Sequence, residues 1–172
     1  PEVQFRIAHT DDAILVHYKV KEASVRAVAA GDNGAVWEDA CVEFFSIPAG
    51  DGIYYNVECN CAGILLIGAG AGRENREHAP QEVMDKVQRW SSLGRQSFEE
   101  RVGECNWELA LVIPYSAFFK HQITSLDGKT VRANFYKCGD KLQTPHFLSW
   151  NPIALEKPNF HCPEFFGTLN FE

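Results

Sequence analysis

Two tryptophans in polar company are the residues of this sequence best suited to chemistry. Trp37 opens the run Trp37-Glu38-Asp39-Ala40-Cys41-Val42-Glu43-Phe44-Phe45, and Trp150 sits in Phe147-Leu148-Ser149-Trp150-Asn151-Pro152. Neither falls in an alternating apolar pattern, whereas Trp107 does, in step with Leu109, Leu111 and Ile113. Turn residues flank both, Gly31 to Gly34 before one and Asn151-Pro152 after the other. An indole can cover the apolar C–H face of a sugar ring while nearby carboxylates and amides bond its hydroxyls. The pair therefore offers two aromatic plates of the kind that hold a sugar ring. The competing reading places both indoles at the rim of the core, the usual station of tryptophan.

The polar partners come from strand periodicity. Successive side chains of a strand point to opposite faces, so Tyr54, Asn56, Glu58 and Asn60 share one face and Tyr55, Val57, Cys59 and Cys61 the other. In the same way Arg132, Asn134 and Tyr136 oppose Val131, Ala133 and Phe135. Glu43 stands among apolar neighbours on its own strand. A solvated sheet face is the plain explanation. Asparagine is depleted in strands, however, and three of them beside Arg132 and two glutamates predict a hydrogen-bonding array. The candidate ligand-binding set is Trp37, Trp150, Glu43, Asn56, Glu58, Asn60, Arg132, Asn134 and Asn151.

Other chemistries have weaker support. Glu43 and Glu58 are candidates for a glycosidase acid/base pair, against a plainer role as acceptors or as partners of Arg132. The six histidines are scattered, and His9 with His17 across one hairpin would give only two ligands. Gly68-Ala69-Gly70-Ala71-Gly72 lacks the dinucleotide spacing and reads as a flexible turn. No Gly-x-Ser-x-Gly elbow occurs. Asp11-Asp12 and Asp39 offer hard oxygens to a calcium ion, with a turn role the plainer one for Asp11-Asp12. Haem would need an axial His or Met, and Met84 is the single methionine.

Strands must position these groups. Val3–Ile7 and Ala13–Val20 form a hairpin across Thr10-Asp11-Asp12. Further strands are expected at Cys41–Ile47, Ile53–Cys61, Ile64–Ile67, Trp107–Ile113, Thr130–Cys138 and Phe165–Phe171, each bounded by Gly, Pro or Asp. Short helical turns are expected at Pro80–Val87 and Pro114–Phe119. The pattern predicts an all-β, antiparallel sandwich of jelly-roll type in a single domain over residues 1–172, with an irregular excursion at about 68–105.

Composition bounds the function. The net charge of −7 argues against nucleic acid as a partner, since phosphate binding needs clustered Lys and Arg. No apolar run approaches the roughly 20 residues of a membrane helix, and no stretch of these residues reads as a signal peptide. Six cysteines are too few for a disulfide scaffold of this length and include only one close pair, Cys59-x-Cys61, which disfavours a zinc site; most are expected to be buried thiols.

The run Trp37-x-Asp39-x-x-Val42-Glu43-x-Phe45 resembles the signature of family 9 carbohydrate-binding modules. The hairpin Ile7–Tyr18 resembles that family's early strand pair, and Trp150-Asn151-Pro152 followed by Pro163-Glu164-Phe165-Phe166-Gly167 resembles its closing segment. The likeness covers most of the chain and is closest to family-9-like proteins of gut Bacteroidetes. It implies a jelly-roll sandwich with structural calcium and no organic cofactor. It also implies non-catalytic binding of glucan or xylan ends between Trp37 and Trp150, with Glu43 on sugar hydroxyls. Such modules are found with glycoside hydrolases such as xylanases, so an extracellular or periplasmic setting is expected. Two departures stand out: no stretch reads as the family's N-terminal segment, where calcium ligands usually lie, and the 68–105 excursion is unfamiliar. A related sandwich of the DOMON type, binding haem or sugar, is the other family alternative.

Overall fold

The computed structural model describes residues 1–172. In chain order its strands are β1 (Glu2–His9), β2 (Ala13–Ala27), β3 (Cys41–Ile47), β4 (Tyr54–Asn60), β5 (Leu65–Gly70), β6 (Glu77–His78), β7 (Gln88–Ser91), β8 (Phe98–Pro114), β9 (Thr130–Cys138), β10 (Phe147–Ser149) and β11 (Gly167–Asn170). One helical turn, α1 (Gln81–Met84), and three 3-10 turns complete the chain. Two antiparallel sheets pack face to face. One has the order β1-β2-β8-β7; the other runs β10-β9-β3-β4-β5-β6, with β11 also paired to β9.

Alternation builds the core. Ile14, Val16, Tyr18 and Val20 of β2 and Trp107, Leu109, Leu111 and Ile113 of β8 point inward from the first sheet. Val42, Phe44, Tyr55, Val57, Leu65, Ile67, Val131, Ala133 and Phe135 meet them from the second. The expected core face of β4 and β9 is therefore the observed one. Trp107 is fully packed and donates its Nε1–H to the buried Glu22 at 2.7 Å.

The second sheet is buried on its other face too. Residues 151–166 lie across it, and Phe166 with the half-buried Ile153 and Phe160 packs on Phe45, Tyr54 and Tyr136. Every residue of β4 is buried as a result. The polar face read from the sequence is thus a covered one rather than a solvated one.

The 68–105 region differs from expectation. It holds the end of β5, all of β6, α1 and β7, and the first half of β8. Strands β2 and β8 run on well past the expected hairpin and pair as far as Ala27 with Phe98. The charged runs Lys21-Glu22 and Glu99-Glu100-Arg101 hide the alternation, and β8 is largely exposed over 98–106. Gly68 and Gly70 lie inside β5 rather than in a flexible turn.

Candidate functional site

The second sheet's outer face carries a cavity of about 440 Å³, lined by Trp37, Glu43, Asn56, Glu58, Arg73, Arg76, Asp140, Phe147, Phe160 and His161 among others. Ligand clefts commonly span roughly 300–1,000 Å³. Register explains the floor. Glu43 of β3 lies opposite Glu58 of β4, and Phe45 opposite Asn56, so these side chains share one face. Asn56 donates to Glu58 Oε2 at 2.6 Å and accepts from Arg76 Nε and Nη2 at 3.0 and 2.8 Å. Arg76 also donates to the carbonyls of Tyr54 and Gly72 and lies over the Tyr54 ring at 3.9 Å. Close packing here requires a glycine: a Cβ on Gly68 would stand 2.5 Å from Asn56 Oδ1.

The two glutamates act as one titrating unit. Burial is the largest effect on both, and the Glu58 charge adds to it at Glu43, whose carboxyl is held well above the usual range. Burial pushes Glu58 up to about 7, opposed by its hydrogen bonds to Asn56 and Glu43 and by the Arg76 charge. Like charges this close cannot both ionise freely, so the pair holds a proton between its two carboxyls. Burial, with Arg76 and Arg73 nearby, lowers His161 to about 4. Its neutral ring shares a hydrogen bond with the Tyr54 hydroxyl through Nδ1, 2.7 Å away.

Trp37 stands over this floor on a well-anchored turn. Val36 beside it is fully buried. The Trp37 carbonyl accepts from the Asp140 amide at 3.1 Å and from the Cys138 thiol at 3.5 Å. The backbone is thereby fixed while the indole stays 39 % exposed. Phe147 of β10, opposite Cys138 of β9, and Phe160 supply further aromatic wall.

Trp150 lies elsewhere, which corrects the expected clamp. Its ring meets Phe5 and Phe135 edge-on, with centroids 6.0 and 5.7 Å away. Both partners belong to the inter-sheet core, so Trp150 closes an edge of the sandwich and lines a separate apolar cavity with Val3, Phe5 and Tyr18. A Cβ on Gly167 would sit 2.9 Å from its ring, so the Phe166-Gly167 ending makes room for it. The two tryptophans do not face each other across the cavity.

Four more expected ligand residues are spent on backbone. Asn60 is fully buried, bonds Asp39, and accepts from the amides of Ala62 and Ile64. Asn134 bonds both the amide and the carbonyl of Asn151. Asn151 donates to the Phe165 carbonyl at 2.6 Å, and Arg132 to the Phe166 carbonyl at 3.0 Å. Asn134, Asn151 and Arg132 hold the covering segment 151–166 in place, Asn60 ties down the turn after β4, and none of the four lines the cavity. The arginine beside the glutamates is Arg76, not Arg132.

The calcium expectation fails a fit test at Asp39. Its Oδ2 accepts from the amides of Val28 and Ala29 and from Asn60, and Oδ1 lies 3.3 Å from Arg26 Nε. A carboxylate surrounded by donors and a guanidinium is no calcium ligand. Asp12 sits in an exposed turn with its carboxylate bonded by the Thr10 hydroxyl. His9 and His17 do not meet: one bonds the Glu172 carbonyl and the other Glu108. Met84 is fully buried in the core.

Sequence reasoning missed Arg73, Arg76, Asp140, Phe147, Phe160 and His161. One signal was available. Gly68 and Gly70 present no side chain beside Asn56 and Tyr54, their partners on β4, and such a gap invites a large group from another segment.

A β-sandwich with an aromatic-rimmed polar pocket on one sheet defines a binding module. The chain belongs to carbohydrate-binding family 9, whose model matches residues 1–171. A Bacteroides uniformis protein described as a candidate carbohydrate-binding protein is 72% identical, with a TM-score of 0.98, over 100% of this chain and 79% of that one. Two structures of a family 9 module from Caldicellulosiruptor kristjanssonii, in complex with glucose and with cellotriose, share 11% identity and a TM-score of 0.60. The match covers 99% of this chain and 76% and 74% of theirs, and supports the fold. No curated protein sequence gives a match.

Proposed function

We propose that the protein binds carbohydrate without transforming it, taking the end of a plant-type polysaccharide or oligosaccharide into the Trp37 cavity. The observation that carries this reading is the exposed Trp37 indole standing over buried, oriented hydrogen-bonding groups. Trp37, with Phe147 and Phe160 beside it, would cover the C–H face of a terminal sugar. Glu58, Asn56, Asp140 and the His161 ring offer acceptors and donors to its hydroxyls. Arg76 holds Asn56 and Tyr54 in position, and Glu43 fixes Glu58 by sharing a proton with it. Stacking at one plate replaces the two-plate clamp. Since such polymers lie outside cells, an extracellular or periplasmic setting is part of the proposal.

The glycosidase alternative is disfavoured by one feature. Glu43 and Glu58 stand directly opposite each other on adjacent strands, both buried, whereas catalytic carboxylates flank the sugar at roughly 5–5.5 or 6.5–9.5 Å. No glycosidic bond fits between them. Calorimetric titration with cello- and xylo-oligosaccharides tests the proposal. Binding should be lost in Trp37→Ala and kept in Trp150→Ala. Unchanged affinity in Trp37→Ala, or release of reducing sugar, would overturn it.

A further inference from the structure

Cys41, Cys138 and Glu43 form a cluster that sugar binding does not call for. Cys41 and Cys138 are far apart in sequence, yet lie opposite each other on the adjacent strands β3 and β9. Glu43 follows Cys41 by two residues and so points to the same face. One sulfur from each cysteine and one Glu43 oxygen all lie within 4.8 Å of one another. Cys138 Sγ is 3.1 Å from Glu43 Oε1. Neither cysteine is in a disulfide, and all three residues are buried. Zinc binds sulfur at about 2.3 Å and carboxylate oxygen at about 2.0–2.2 Å. Tetrahedral geometry then spaces its ligand atoms within roughly 4 Å of one another, so small side-chain rotations would close the set.

We propose that Cys41, Cys138 and Glu43 bind one thiophilic divalent cation, of the zinc class, at the inner wall of the Trp37 cavity. Two sulfurs and a carboxylate suit zinc, whereas calcium and magnesium take oxygen ligands. Cys138 and Glu43 line the cavity, so the fourth coordination position opens into it, near Asp140. On binding, each thiol and the Glu43 carboxyl release a proton to solvent and three metal–ligand bonds form. Glu43 then ceases to share a proton with Glu58, and the cation takes over the role of that proton. Both cysteine positions sit on strands inside the sheet, which holds the ligand backbone fixed before the metal arrives. The spacing rules that argue against zinc from the sequence do not see this site, because its cysteines meet only through strand pairing.

Reduced, chelator-stripped protein titrated with Co²⁺ tests the inference. One equivalent should bring near-ultraviolet thiolate charge-transfer absorption and visible bands of tetrahedral cobalt, both displaced by Zn²⁺. Cys41→Ser and Cys138→Ser should each abolish the charge-transfer signal or weaken binding by at least about tenfold, and Cys105→Ser should leave it intact. If the serine variants unfold, Glu43→Gln keeps both thiols and should weaken cobalt binding at least about tenfold. Absent cobalt bands, bands that survive Cys138→Ser or Glu43→Gln, or a Cys41–Cys138 disulfide in the isolated protein would overturn the assignment. These readouts need no sugar, so they stand or fall apart from the carbohydrate proposal.

Discussion

Glu58→Gln should stabilise the metal-free protein at alkaline pH while changing little in acid. The side chain is buried, and its folded-state carboxyl sits at about 7 against an ordinary 4.5. A raised carboxyl means that the folded protein holds a proton the unfolded chain has lost. Stability contributed this way is fully present below about pH 4.5 and disappears as pH rises towards 7. Each pH unit of displacement corresponds to about 1.4 kcal/mol, so this carboxyl costs on the order of 3 kcal/mol at pH 8. Glutamine keeps the size of the protonated acid and cannot ionise. The neighbouring Glu43 is also held high, partly by the Glu58 charge, so removing that charge shifts it in the same stabilising direction. Urea denaturation from pH 4 to 8, with chelator present, measures the effect. The variant should match wild type near pH 4 and exceed it by about 3 kcal/mol at pH 8. Parallel stability curves across that range would refute the buried dyad.

Other consequences follow from particular contacts. Lys137 Nζ lies 3.0 Å from Glu22 Oε1 and also donates to the Cys138 carbonyl and to His146, which burial and the Lys137 charge hold near 4. Lys137→Met should therefore lower stability by about 3–5 kcal/mol, the cost of leaving Glu22 buried without its partner, as read by thermal or urea unfolding. Gly68→Ala should displace the Asn56 amide, whose Oδ1 would lie 2.5 Å from the new methyl, and lower sugar affinity roughly tenfold in calorimetry, the effect of losing one good hydrogen bond of about 1.4 kcal/mol. Asn134→Ala should loosen the 151–166 segment and speed amide exchange at Asn151, whose N–H loses its acceptor.

Much of this structure is legible in the sequence because period-two alternation is a local signal. Strands β3 and β9 match their expected bounds, and the split of β4 into a polar and a core face is reproduced. Glu43, Asn56 and Glu58 meet because strand pairing brings them opposite or beside one another, which period and face can anticipate. The failures share a cause in long-range packing. Asn60, Arg132, Asn134 and Asn151 were grouped with them by face alone, but loops and the covering segment claim their hydrogen bonds. Trp150 is 45 % exposed yet packs edge-on against core rings, a placement its polar sequence neighbours do not announce. Its neighbours in space, Phe5 and Phe135, come from both sheets. Arg76 and His161 reach the cavity from segments with no periodicity to read. Lys137 shows the reverse case: it shares the alternation of Val131, Ala133 and Phe135, so its inward position follows from period two despite its charge.

The most direct test of the account is to watch the four tryptophan indole N–H signals by ¹⁵N–¹H correlation NMR during titration with a cello-oligosaccharide. Assigned by single substitutions, the Trp37 signal should shift progressively and saturate, while those of Trp107 and Trp150 stay in place. A saturating shift at Trp150 with Trp37 unmoved would contradict the placement of the sugar in the cavity beneath Trp37.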